Sequence, residues 1–109
     1  MYLHKHRVGF AECGADGTMR VADALSLMVN CCQYQETSDK RLHEYLKRKN
    51  LATFLYSVQI DIMRMPSVLE EIEIRVKIYD LKNMLGFRRI TISDSNGHLC
   101  AIVNAIGGV

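Results

Sequence analysis

Hydrophobic and polar residues alternate over most of the second half of the chain. The alternation runs over residues 54–62, 72–78, 87–93 and 99–106. A period of two is typical of a β-strand with one buried face. Pro66 ends the first of these runs, and Asn96-Gly97 forms a turn signal before the last. The pattern therefore predicts four strands, joined by short connections, in one antiparallel sheet.

The first half of the chain carries the period of a helix over a glycine-free segment from about Arg20 to Thr37. Its apolar stripe at i, i+4, i+7 and i+11 consists of Val21, Leu25, Met28 and Cys32. Such a helix would be about 25 Å long and would cross a whole sheet. Arg7–Cys13 predicts a strand before it, followed by a turn at residues 14–17. The order of strand, helix and four strands predicts an α+β fold, with one antiparallel sheet wrapped around one long central helix.

Composition excludes several classes of protein. At 109 residues the chain has the size of a single domain, and its net charge of +2 is too small to indicate nucleic-acid binding. No apolar run approaches the roughly 18 residues of a membrane span, and the first residues lack the apolar stretch of a signal peptide. The four cysteines form no C-x-x-C pair, and the histidines have no metal-site spacing. We expect a cytoplasmic protein with reduced thiols, no metal and no cofactor.

A sheet with a single helix leaves one face uncovered and one edge strand unpaired. Exposed sheet edges tend to pair with another chain, and closed symmetric dimers are the commonest result. The sequence therefore predicts a homodimer, or pairing with a second domain of the same kind.

Four segments of the chain, in order, resemble the acyl-acyl carrier protein (ACP) thioesterase family, which has the hotdog fold. They are residues 27–33, 60–66, 79–89 and 94–105. Arg64-Met65-Pro66 matches an Arg-Tyr-Pro-like sequence of the family, Phe87-Arg88 its aromatic-arginine pair, and Asp94–Gly97 its Asp-x-x-Gly turn. The resemblance implies hydrolysis of fatty acyl thioesters of ACP or CoA, in fatty acid biosynthesis, with release of the free fatty acid.

The chain also departs from the pattern of that family, which has two tandem hotdog domains and its catalytic residues mainly in the second. This chain resembles the first. Thr53 stands in place of a family tryptophan, Ala105-Ile106-Gly107 in place of a Ser-x-Trp pattern, and Gly14 where another hotdog branch has a carboxylate. Two interpretations stay open. Residues 1–109 form a single catalytic hotdog domain, or the first half of a tandem protein that binds acyl chains and a partner domain without chemistry of its own.

Thioester hydrolysis needs donors for the carbonyl oxygen and a base for water. Free N–H groups at a helix start supply the first, which points to the turn at residues 14–18 and to Val21. Glu36 continues the apolar stripe of the helix, and burial of a carboxylate raises its pKa and suits it as a general base. Asp16 lies nearer the helix start. Both are candidate catalytic residues, although Glu36 would be solvated if the helix ends at Thr37, and Asp before Gly is common in turns.

Two further groups are candidates for binding. Asn30 and Gln33 are neighbours on one helix face and could contact substrate or bond to the sheet. A basic cluster follows the helix and consists of Lys40, Arg41, Lys47, Arg48 and Lys49. It is either a docking surface for an acidic carrier or a solvated helix face.

Overall fold

A computed structural model of the chain describes residues 2–38, 40, 44, 47–49, 54–82 and 85–108; the side chains of residues 36, 37, 54–56, 79–82, 85 and 108 lie outside that description. Within these residues the long helix α1 (Val21–Ser38) accompanies a sheet of five strands. The strands are β1 (Tyr2–Arg7), β2 (Phe54–Ile62), β3 (Glu71–Lys82), β4 (Leu85–Asp94) and β5 (Leu99–Gly108). The sheet is antiparallel throughout, in the order β1-β3-β4-β5-β2. The predicted α+β fold is confirmed.

The register of the central strands places their apolar residues on one face. Ile74 pairs with Ile92, and Val76 pairs with Ile90, and all four are buried. Val103 of β5 lies opposite Ile90 and extends this face. α1 packs on it, mainly against β3 and β1. The four predicted strands are confirmed, and β3, β4 and β5 extend a few residues beyond the predicted limits.

The helix is confirmed, but its buried stripe is rotated from the predicted one. The fully buried positions are Ala24, Met28, Cys31 and Cys32, whereas Val21 is 42% exposed. Gln35 follows on this stripe, and its Nε2 donates to the carbonyl of Val76 at 3.4 Å. The predicted stripe is therefore right for Met28 and Cys32 and wrong for Val21, because α1 turns Ala24 and Cys31 toward the sheet.

The predicted first strand, Arg7–Cys13, is wrong. The chain forms β1 at Tyr2–Arg7, and Phe10–Glu12 forms a 3-10 turn. Glu12 stabilises this turn, because its Oε1 accepts a hydrogen bond from the backbone N–H of Gly9 at 2.7 Å. The apolar Phe10, which suggested a strand, is 87% exposed. None of the described helices is long and apolar enough to cross a membrane.

Candidate functional site

A tight turn precedes α1 and contains Asp16. The N–H of Gly14 donates to the carbonyl of Thr18, and the N–H of Gly17 to that of Gly14, both at 3.0 Å. Gly17 has φ +78°, a left-handed conformation that favours glycine. Asp16 Oδ1 accepts from the N–H and hydroxyl of Thr18 at 3.0 and 2.9 Å. These bonds, the backbone one first, hold the pKa of Asp16 below its usual range. The geometry gives Asp16 a structural role in the turn and makes it a weak base.

Arg20 lies at the N-terminal end of α1 and joins it to the 3-10 turn. Its N–H donates to the carbonyl of Glu12 at 2.8 Å, and its carbonyl accepts from Ala24 at 3.0 Å. The guanidinium donates to the carbonyls of Ala11 and Cys13 and to Asp23. The first N–H groups of a helix have no hydrogen-bond partner within the helix. An arginine side chain carries no acceptor atom, so Arg20 cannot cap these groups as a serine or aspartate would.

In α1 these first N–H groups belong to Val21 and its two successors, and Val21 and Ala22 are exposed. A carbonyl oxygen that carries developing negative charge can therefore reach two adjacent donors at the positive end of a helix. We call Val21 and Ala22 the helix start.

An ion-pair network holds the loop after β2. The guanidinium of Arg64 donates two hydrogen bonds to Glu70, at 2.9 and 2.7 Å, and one to Asp94 at 3.1 Å. Asp94 also accepts from the backbone N–H groups of Asn96 and His98, at 3.0 and 2.9 Å. Hydrogen bonds from Arg64 lower the pKa of Glu70, and those from His98 and Asn96 contribute most to lowering the pKa of Asp94. Two segments that resemble family motifs, at residues 64–66 and 94–97, therefore meet in one network.

The same network includes a group of donor atoms that resembles a metal site. Donor atoms of Glu70, Asp94 and Cys100 lie within 4.8 Å of one another. Arg64 already supplies positive charge to both carboxylates, and burial raises the pKa of the Cys100 thiol. The protonated thiol and the paired carboxylates favour an ion-pair network over a metal site.

The loop held by Arg64 positions the helix start. The buried Pro66 accepts from the N–H of Met19 at 2.8 Å, and Val68 donates to the carbonyl of Gly17 at 2.9 Å. A bridge between Thr18 and Ser67 lies between these two bonds. Spacing along the sequence did not indicate this role of Arg64, although the Arg-x-Pro and Asp-x-x-Gly matches mark both ends of the network.

An apolar surface on β2 remains uncovered. Val58, Ile60 and Ile62 lie opposite Ala105, Val103 and Ala101 of β5, on the sheet face that carries α1. Val58 and Ile62 are 38% and 43% exposed, and the adjoining Met63 is 51% exposed. We call these four residues, Val58, Ile60, Ile62 and Met63, the β2 apolar strip. The strip leads directly into the loop that contacts the helix start.

The other predicted site residues do not gather there. Asn30 and Gln33 are exposed farther along α1. Glu36 belongs to α1, but its side chain lies outside the described part; its position is about 22 Å from Val21 along the helix axis, at 1.5 Å per residue. In the basic cluster, Lys40, Lys47, Arg48 and Lys49 are exposed, and Arg41 lies outside the described residues. The structure therefore brings Asp16 and Val21 to one end of α1 and places Asn30, Gln33 and the backbone of Glu36 farther along it.

We expect Arg64→Met to weaken the acid dependence of stability. Glu70 and Asp94 have lowered pKa values in the folded protein, so their contribution is complete above the unfolded carboxyl pKa of about 4 and is lost as the pH falls through the folded values. Without Arg64 the contribution of Glu70 falls to what its hydrogen bond from the Ser67 N–H supplies, whereas Asp94 keeps its backbone bonds. Urea unfolding between about pH 7 and pH 2 measures the difference.

The control for this prediction is Arg7→Met. Arg7 pairs with Glu71, but both side chains are more than 60% exposed, and such pairs contribute little. If Arg7→Met and Arg64→Met lose the same stability at pH 7, with the same pH dependence, the network has no special role.

Comparisons with known proteins agree with this architecture. A family model, the N-terminal domain of acyl-ACP thioesterases, matches residues 1–106. A search of curated proteins gave no match. A protein of Lactobacillus plantarum assigned as an oleoyl thioesterase superposes with a TM-score of 0.90 at 22% identity, over 98% of this chain and 42% of that protein. An acyl-ACP thioesterase of Bacteroides thetaiotaomicron superposes with a TM-score of 0.89 at 14% identity, over 98% of this chain and 44% of that protein.

A third solved structure, a protein of Staphylococcus aureus in complex with CoA, gives a TM-score of 0.88 at 12% identity, over 97% of this chain and 67% of that one. The likenesses confirm the hotdog fold. The chain spans less than half the length of the first two proteins. Because the family model covers nearly all of its residues, the chain belongs to the acyl-ACP thioesterase family and matches the N-terminal domain of that family.

Proposed function

We propose that the protein hydrolyses fatty acyl thioesters and that this hotdog domain binds the thioester at the helix start. The observation that carries the proposal is the position of two exposed residues, Val21 and Ala22, at the first turn of α1, where N–H groups lack partners within the helix, beside the loop that continues the β2 apolar strip. A fatty acyl thioester has the matching chemistry, because a polar carbonyl is attached to a long apolar chain. Membership of the acyl-ACP thioesterase family supports the same reaction.

The reaction is the addition of water to the thioester carbonyl. The helix start stabilises the oxyanion as it forms, the carbon–sulfur bond then breaks, and the thiol of the carrier leaves. The acyl chain lies along the β2 apolar strip, where burial of methylene groups contributes about 0.8 kcal/mol each. The thiol carrier is an ACP or CoA. We place the protein in the cytoplasm, in fatty acid biosynthesis.

The β2 apolar strip also supports association with a second hotdog domain. β2 is an edge strand with three apolar side chains more than a third exposed at or beside it. Edge strands of this kind pair with another chain, so we propose a homodimer or a second domain of the same protein as the partner. Because about 22 Å of helix separates Glu36 from Val21, Glu36 could act as the base at the helix start only from a second copy of this chain. Its catalytic role stays a prediction, as do the roles of Asn30 and Gln33 in binding substrate.

The alternative function is acyl-chain binding and dimerisation without catalysis. It is favoured by the match to the N-terminal domain of the family and by the engagement of Asp16 in its turn. Incubation of the full-length protein with long-chain acyl-ACP and acyl-CoA separates the two functions. Release of free fatty acid above the uncatalysed rate supports hydrolysis. Saturable acyl-ACP binding with no fatty acid release supports the alternative.

We expect the basic cluster to receive the acidic carrier. Lys40 and Lys47 are exposed, and opposite charges on two partners speed association and make it salt-dependent. The double change Lys40→Glu and Lys47→Glu should weaken acyl-ACP binding and flatten its salt dependence. Binding isotherms at two or more salt concentrations provide the measurement.

The matched control changes the same total charge elsewhere. Lys5 and Lys77 are exposed on β1 and β3, and their reversal to Glu should leave acyl-ACP binding close to that of the unaltered protein. Equal weakening by both double changes would mean that net charge alone, rather than the basic cluster, determines binding.

A further inference from the structure

The turn that joins β4 to β5 contains Asn96 followed by Gly97. Residues 95–99 are all exposed, and within the described residues no hydrogen bond involves the side-chain amide of Asn96. Gly97 has φ +84°, and a Cβ added there would meet nothing within 4 Å apart from its chain neighbours. The carboxamide carbon of Asn96 and the backbone nitrogen of Gly97 therefore lie close together in solvent, with no side chain at residue 97 to hinder their contact.

An asparagine that precedes a glycine can lose its side-chain amide without an enzyme, because glycine has no Cβ and allows the backbone to approach closely. The nitrogen of Gly97 bonds to Cγ of Asn96, the bond from Cγ to the side-chain nitrogen breaks, and ammonia leaves with the proton from Gly97. Water then opens the cyclic imide at one of its two carbonyls. The product is aspartate, or isoaspartate, in which the main chain runs through Cγ and is one methylene longer. One asparagine and one water thus give one carboxylic acid and one ammonia.

Hydrogen bonds of the same turn oppose this reaction. The N–H of Gly97 donates to the backbone carbonyl of Asp94 at 3.0 Å, and Asp94 Oδ1 accepts from the N–H groups of Asn96 and His98 at 3.0 and 2.9 Å. The nitrogen of Gly97 must leave its carbonyl before it can attack Asn96, so the reaction requires local opening of the turn. The guanidinium of Arg64 donates to Asp94 Oδ2 at 3.1 Å and thereby stabilises the closed turn.

We infer that Asn96 is a deamidation site, that the contact between Arg64 and Asp94 limits its rate, and that isoaspartate at residue 96 loosens the loop that positions the helix start. The added methylene displaces the N–H groups of Gly97 and His98 from Asp94, which accepts from both. Asp94 then holds Arg64 less firmly, and Arg64 anchors the loop that contacts the helix start. The modification and its structural effect do not depend on the proposed function.

Peptide mass spectrometry of the full-length protein, incubated at mildly alkaline pH, tests the site directly. Two other asparagines serve as internal controls, because Asn30 lies within α1 and Asn104 within β5, a strand paired on both sides. We expect Asn96 to convert to the acid at least about tenfold faster than Asn30 or Asn104, because local opening costs little at exposed turns and much more in helices and central strands. Equal conversion at the three asparagines would overturn the assignment of Asn96 as a deamidation site.

The role of Arg64 is tested by the rate of the same conversion in two variants. Arg64→Met removes the guanidinium that holds Asp94, and we expect it to speed deamidation of Asn96 about 2–5-fold, the change in the open population that follows from losing a partly exposed ion pair. Arg7→Met removes an arginine whose ion pair with Glu71 is remote from the turn in the sheet register, and it should leave the rate unchanged. Equal rates in the two variants would show that Arg64 does not limit the reaction.

The structural effect is measured on the product itself. Deamidation adds one negative charge, so ion exchange separates the modified protein from the unmodified protein of the same incubation. We expect amide hydrogen exchange at residues 64–70 to be faster in the isoaspartate form and its urea midpoint to be lower. Asn96→Ser keeps a residue that suits a turn and has no amide to lose, so its exchange and its midpoint should not change during the incubation.

The remaining outcomes decide the effect on the loop. If the isoaspartate form has the same hydrogen exchange at residues 64–70 and the same urea midpoint as the unmodified protein, the modification does not reach the loop, and that part of the inference is wrong. It is also wrong if Asn96→Ser loses as much stability as the unaltered protein during incubation, because the loss would then come from another change. None of these measurements uses acyl thioester turnover, so their failure is distinct from failure of the proposed function.

Discussion

Val21→Pro is expected to lower kcat for acyl thioester hydrolysis about 100-fold or more and to leave α1 intact. Proline lacks the N–H that we assign to the oxyanion, and loss of one such donor typically costs 10²–10³ in kcat. The first position of a helix is also where proline is tolerated, because the N–H there has no partner in the helix. The change therefore removes one donor with little effect on the fold.

Val21→Ala is the matched control. Alanine keeps the N–H and removes two methyl groups of a residue that is 42% exposed, so we expect turnover within a few-fold of the unaltered protein. Circular dichroism verifies the helix in both variants, and steady-state kinetics with a long-chain acyl-ACP gives kcat and KM separately. Equal rates for the proline and alanine variants would show that the N–H of Val21 does not contact the oxyanion.

Most of the fold could be predicted because hydrophobic and polar residues alternate over much of strands β2 to β5 and α1 has a sustained helical period. Asn96-Gly97 was a correct turn signal, since Gly97 has φ +84° and donates to the carbonyl of Asp94. β1 was missed for a physical reason. Its inward residues are the aromatic Tyr2 and the polar His4 and His6, whereas the apolar Leu3 is on the exposed face. Pairing with β3 rather than alternation therefore determines this strand.

The candidate site could be predicted only where it depends on local structure. The turn before α1 and the position of Val21 follow from the start of the helix. The predicted start, at about Arg20, lies within one residue of the observed start at Val21. Arg64, Glu70 and Asp94 meet because of strand register, and 30 residues separate Arg64 from Asp94 along the chain. Spacing alone does not indicate such a contact.

The position of Glu12 depends on the same kind of long-range effect. In an extended strand Glu12 would lie about 20 Å from His6, because each residue advances the strand by about 3.3 Å. The 3-10 turn reverses the chain and brings its carboxylate to the imidazole of His6. The wrongly predicted first strand therefore concealed the contact between His6 and Glu12.

Met28→Ala should destabilise the protein by about 2–5 kcal/mol, the range observed when a large buried side chain is truncated. Met28 is completely buried, on the face of α1 that packs with Ile74, Val76 and Ile92 of the sheet. Truncation leaves a cavity between helix and sheet that these branched side chains fill poorly, because their rotamers are restricted. Alanine is a slightly better helix former than methionine, which offsets a few tenths of a kcal/mol at most.

Met63→Ala makes the same chemical change at a position that is 51% exposed in the single chain, and at a protein concentration that keeps the chain monomeric we expect its effect to stay within about 0.5 kcal/mol. Urea unfolding of both variants over a series of protein concentrations gives the comparison, with equal m-values as the condition for reading midpoints as stability. A loss at Met63 that grows with protein concentration would mean that Met63 is covered in the associated protein. Because Met63 ends the β2 apolar strip, that result would place the second hotdog domain against the strip, and the loss should then diminish as the protein is diluted to monomer.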